Sequence, residues 1–171
     1  MRFVLAVLAG VALSGTASAQ HQQHHQTPYA GLQQRTVKAL SNEQLSDLNA
    51  GRGMGLALAG ELNGYPGPVH VLELADQLQL SDHQRQQVQQ QYETMKAEAV
   101  RVGEKLIAQE RELDRAFADQ TIEPATLTAL TAQIGETQGQ LRAVHLKYHL
   151  TTTDLLTRHQ RHRYAELRGY R

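Results

Sequence analysis

Apolar residues change their spacing several times along this chain, and each change predicts a new element. Phe3 to Leu13 is an apolar run. After a polar stretch, Leu45, Leu48, Met54, Leu56, Leu58 and Leu62 suit a helix that Gly51, Gly53 and Gly55 should kink or break. Asn63-Gly64-Tyr65-Pro66-Gly67-Pro68 reads as a turn, and Val69, Leu72, Leu74, Ala75 and Leu78 predict a short amphipathic helix ending before Ser81. From Asp82 the pattern becomes a heptad seam: Val88, Tyr92, Met95, Ala99, Val102, Leu106, Leu113 and Phe117 predict one long helix to about Ala118. Asp119 to Glu123 forms a connection, Pro124 suits a first helical turn, and Leu127, Leu130, Ile134, Leu141, Val144, Tyr148 and Leu155 make the stripe of a second long helix.

A short connection between long amphipathic helices implies an antiparallel hairpin. With its turn near Thr121, facing positions add to about 243, setting Leu113 against Leu130, Val102 against Leu141 and Ala99 against Val144. Leu146 and Leu150 lie off that stripe, so they need another partner, either the amino-terminal helices or a second subunit. The expected fold class is all-α: a long antiparallel helical hairpin with flanking shorter helices, assembled as a dimer.

Helix starts are marked chemically. Leu80-Ser81-Asp82-His83-Gln84 and Leu156-Thr157-Arg158-His159-Gln160 each place a hydroxyl three residues before Gln, the pattern of a reciprocal helix cap, and Ser41-Asn42-Glu43-Gln44 repeats it. Leu80 and Leu156 can then pack on the first turn, so Leu80, Ser81, Gln84, Leu156, Thr157 and Gln160 carry a structural motif before they carry any chemistry. The final helix is expected to run from Thr157 to about Leu167, with Arg158, Arg161 and Arg163 on it.

The amino-terminal run has Arg2 before it and Ala17-Ser18-Ala19 after it, which describes a secretory leader cut near Ala19/Gln20, with an uncleaved anchor as the alternative. Localisation in a bacterial periplasm is the simplest expectation, with no membrane insertion of the mature chain. The division is then residues 1–19 as signal peptide, 20–40 as a disordered His/Gln-rich lead, 41–78 as Gly/Leu-rich amino-terminal helices and 79–171 as the hairpin domain. The chain has no cysteine, so thiol chemistry and disulfides are excluded. Lys and Arg total 17, as do Asp and Glu, which gives nucleic-acid binding no electrostatic support.

His145 and His149 are four apart on one helix, and the facing register puts Glu98 opposite them, an arrangement with nitrogen and oxygen donors for a divalent ion such as zinc, copper or nickel. The plainer reading is a pair of histidines hydrogen-bonded across the hairpin. His21, His24 and His25 form a second candidate cluster in the lead. No cofactor is required by any motif. No nucleophile stands beside a base, no His-Glu-x-x-His occurs, and a thin hairpin offers no deep pocket, so an enzyme is not expected.

Together the leader, the long hairpin and the paired Leu-Ser/Thr-x-x-Gln motifs resemble the Spy/CpxP family of periplasmic proteins over roughly Leu78 to Leu167. The resemblance departs at Ser81, where Thr is usual, and in the Ser41 to Val71 region. It implies a dimer with a cradle-shaped surface that acts as an ATP-independent chaperone or stress adaptor under envelope or heavy-metal stress. Partners would be unfolded or misfolded envelope proteins, or a membrane signalling protein. Metal-responsive relatives of the CnrX and ZraP kind imply the alternative, a heavy-metal sensor or buffer. A structural envelope protein is a third reading. Gln86, Gln87, Gln89, Gln90, Gln91 and Met95 give the first long helix an adaptable surface suited to binding partners.

Overall fold

A computed structural model describes residues 27–171; the leader and the His21, His24 and His25 cluster lie outside the described residues. The described chain is all-helical. A 3-10 turn at Leu32–Gln34 is followed by α1 (Asn42–Ala50), α2 (Leu58–Glu61), α3 (Pro68–Glu73), α4 (Asp82–Ala118), α5 (Pro124–Leu155) and α6 (Arg158–Leu167). No strand occurs among the described residues, and none of their helices is long and apolar enough to cross a membrane.

The same device opens three of these helices. Ser41, Ser81 and Thr157 each accept from the backbone N–H three residues on, while Gln44, Gln84 and Gln160 reach back to the cap residue's N–H. Each hydroxyl satisfies a donor that the helix cannot, worth about 1 kcal/mol. α1 stops at Gly51, whose φ of 66° is left-handed and whose added Cβ would lie 2.8 Å from the Lys96 carbonyl oxygen. Glycine is required there both for backbone conformation and for room. α3 ends at Glu73, short of the expected Leu78, and the chain turns through Gln79 at φ 53° before α4.

Two apolar clusters hold the chain together. One joins Val37, Leu40 and Leu48 to Ala99, Val102, Leu106, Ile107, Ile134 and Leu141. The other joins Val71, Ala75, Leu78, Leu80 and Val88 to Leu156 and Tyr164. Contacts also link α4 to α5 through polar groups: Thr152 donates to Gln91 at 2.8 Å and Tyr148 to Glu98 at 2.8 Å.

Two further features differ from the sequence expectation. The lead assigned to residues 20–40 is packed at its end, since Val37 is fully buried, Leu40 is buried and Lys38 pairs with Asp114 at 3.1 Å. The apolar side chains of this segment find cover on the long helices, which composition alone does not reveal. Conversely Phe117 and Leu127, counted on the two seams, are exposed; they lie near the end of α4 and the start of α5, on either side of the connection.

α1 also lies close on α4 at Gly103, where an added Cβ would sit 2.8 Å from the Leu48 carbonyl oxygen. Gly to Ala inside a helix ordinarily gains about 1 kcal/mol. Gly103→Ala is expected to reverse that sign and destabilise by about 1–3 kcal/mol, because backbone must move. Gly139→Ala in α5, with nothing within 4 Å, should show the ordinary gain. Urea unfolding followed by circular dichroism compares the two, and stabilisation by both would refute the tight contact.

Candidate functional site

The polar centre of the molecule is built on Glu61, the last residue of α2. Its carboxylate is buried, and each oxygen is used. Oε1 accepts from the Tyr164 hydroxyl and from the Tyr170 hydroxyl at 2.9 Å, with Arg168 Nε 3.6 Å away. Oε2 accepts from the Gly67 backbone N–H at 3.2 Å and lies 3.7 Å from His149 Nδ1. A buried carboxylate needs this many donors to offset its lost hydration. Burial, and then the bond to Glu61, hold the Tyr164 hydroxyl well above the usual phenol pKa, so it stays protonated and donates.

Each element delivers its part for a local reason. The turn after α2 is closed by the Tyr65 N–H bonding the Gly60 carbonyl at 3.1 Å, which brings Gly67 back to Glu61. Gly67 is fixed by packing: an added Cβ would lie 2.7 Å from the His149 ring. His149 Nδ1 is 2.7 Å from the Tyr65 carbonyl oxygen, and a carbonyl only accepts, so Nδ1 carries the proton. α6 supplies Tyr164, and the residues after it supply Arg168 and Tyr170.

Beside this network lies a cavity of about 430 Å³ bounded by the Gly51-to-Leu58 loop, Pro68, Val69, Tyr92, Met95, His145 and His149. His145 is 3% exposed and its Nε2 has no hydrogen-bond partner. Its pKa is lowered by burial first and by the charge of His149 second. A histidine kept neutral in the fold binds fewer protons than it does unfolded. Its contribution to stability is therefore fully present above the unfolded pKa of about 6.5 and is lost as pH falls from there toward the folded pKa. Unfolding in chelator is expected to give a lower free energy at pH 5.5 than at pH 7.5, with a smaller difference in His145→Gln; an equal difference would remove His145 as the cause.

The expected donor set of His145, His149 and Glu98 does not assemble. The two histidines share a face turned toward α2 and the glycine loop, whereas Glu98 accepts from Tyr148 at 2.8 Å and from Lys147 at 3.3 Å. Level in register is not the same as facing: Glu98 meets the neighbouring flank of α5. Among the described residues no group of three or more His, Cys, Asp or Glu side chains is placed to hold a metal ion. The histidines do not bond across α4 either; His149 bonds the turn after α2. The key carboxylate is Glu61, which no short-range pattern marked.

Leu146 finds its cover in α2, with a methyl 3.4 Å from where a Cβ on Gly60 would stand, while Leu150 is 55% exposed. The two motifs meet. Gln84 Nε2 donates to Gln160 Oε1 at 3.0 Å and Gln160 Nε2 returns the bond to Gln84 Oε1 at 3.1 Å. Gln84 also donates to the Leu155 carbonyl at 2.8 Å and Gln160 to the Leu78 carbonyl at 3.3 Å. Leu80 and Leu156 are buried in the same apolar cluster beneath this clasp. No protein-family model matches the chain, and neither a curated protein nor a solved structure is found to be similar to it.

Proposed function

We propose that this chain is an exported protein of the Spy/CpxP kind, a dimer of helical hairpins built on α4 and α5, that holds partly unfolded envelope polypeptides without ATP. The observation that carries the reading is the reciprocal Gln84–Gln160 bond, which makes the two repeated motifs one structural unit in an all-helical chain. Client binding is favoured by apolar surface left uncovered beside polar groups. Leu58 at the start of α2 and Leu62 just after its end flank Gly60, Leu150 lies one turn beyond Leu146, and all three are more than half exposed. Scattered leucines on a polar ground suit weak, adaptable contacts better than one fixed partner.

The test is light scattering of a denatured client diluted into buffer with and without the protein. The expected result is suppressed aggregation in the absence of nucleotide, reduced in a Leu58→Ser/Leu62→Ser/Leu150→Ser variant that keeps its helical spectrum. Unchanged aggregation at large molar excess would defeat the reading.

A further inference from the structure

Both methionines of the described chain, Met54 and Met95, line the same cavity of about 430 Å³, together with His70, His145 and His149. The sequence holds three methionines in all, and the other is Met1. Met95 comes from α4 and is buried; Met54 comes from the Gly53-Met54-Gly55 loop, at φ 44°. His145 lines the cavity and is 3% exposed, with Nε2 unpartnered; a Cβ added to Gly53, which precedes Met54, would lie 3.8 Å from its Nδ1.

Thioethers are soft, polarisable donors, and with imidazole they select Cu(I) over the harder divalent ions that carboxylates attract. The one carboxylate on the cavity wall, Glu61, is already saturated by Tyr164, Tyr170 and Gly67. Arg52 and Arg168 also line the cavity but are paired with Asp47 and Glu61, and His70 is paired with Glu73, so besides the Tyr92 hydroxyl the wall offers the two thioethers and the His145 imidazole. We propose that this cavity is a binding site for a soft monovalent cation, Cu(I), held by the Met54 and Met95 thioethers and the His145 imidazole. The site differs from the His145, His149 and Glu98 set in its metal, its ligands and its dependence on the glycine loop. It stands independently of client binding.

The experiment uses the full chain carrying His21→Gln, His24→Gln and His25→Gln, so that tail imidazoles do not compete. Cu(I), kept reduced by ascorbate without oxygen, is titrated against a chromophoric Cu(I) chelator, and Ag(I) is added to protein labelled with 13C at the methionine methyls. One Cu(I) per chain should be withdrawn from the chelator, and the Met54 and Met95 methyl resonances should move with Ag(I) while that of Met1 stays. Leucine matches methionine in volume, so Met54→Leu/Met95→Leu should fold with an unchanged helical spectrum. Its Cu(I) affinity should fall by at least about 100-fold, more than the loss of a supporting residue costs. His145→Gln should also weaken binding, and excess Zn(II) should not displace Cu(I). Undiminished affinity in the double leucine variant, no uptake by the parent, or displacement by Zn(II) would each overturn the proposal.

Discussion

Glu61→Ala is expected to lower the unfolding free energy by about 3–5 kcal/mol, the cost of breaking a buried charged network from one side. The carboxylate takes bonds from Tyr164, Tyr170 and the Gly67 N–H, with Arg168 3.6 Å from it. Alanine would leave the buried Tyr164 hydroxyl and the Gly67 N–H without their protein acceptor. The loss should be local in origin but wide in effect, because the bonded groups come from α2, the turn after it, α6 and the residues beyond. Glu61→Gln keeps the volume but presents N–H to a ring of donors, so a smaller loss is expected, with the Tyr164 side fraying first. The chain has no tryptophan, so urea unfolding is followed by far-ultraviolet circular dichroism and tyrosine fluorescence. A Glu61→Ala midpoint equal to that of the parent would show that the network adds nothing.

The split between what the sequence reveals and what it hides follows contact range. Ser41, Ser81 and Thr157 are readable as caps because all their partners lie three residues away. The break at Gly51 and the start at Pro124 are likewise local. Glu61 is unreadable because its partners Tyr164 and Tyr170 are 103 and 109 positions distant, and a Glu at the end of a short helix looks like any solvated residue. Periodicity also fails where cover is uneven. Gln109 and Thr137 occupy the seam steps after Leu106 and Ile134 and are buried although polar, Glu110 is buried off the seam, and Phe117 belongs to a seam yet is exposed. The register placed Glu98 level with His145, but only the rotation of α5 decides which flank a level residue meets; Tyr148 and Lys147 are on that flank. That Met54 and Met95 line one cavity is hidden for the same reason, since the glycine loop has no periodicity to fix its position.

The motif glutamines yield the second large effect, and one that separates capping from clasping. Gln160 accepts from the Thr157 N–H at 2.9 Å through Oε1, a task glutamate performs equally well in a capping box. Its amide nitrogen also donates to the Leu78 carbonyl at 3.3 Å and to Gln84 at 3.1 Å, which glutamate cannot do. Gln160→Glu is therefore expected to destabilise by about 2–4 kcal/mol, combining a buried charge with two lost donor bonds. Gln44→Glu offers the contrast: Gln44 is exposed and serves only the Ser41 cap, so the change should be within about 0.5 kcal/mol of neutral. Gln84→Leu and Gln160→Leu, measured singly and together, should couple by about 1–2 kcal/mol, because once one amide is gone the other has already lost its partner. Additive losses would mean that each glutamine acts on its own helix alone. A coupled result would explain why both motifs end in Gln when Glu would cap as well: the amide both accepts from its own helix and donates to the other, and through that donation the start of α4 is fastened to the start of α6.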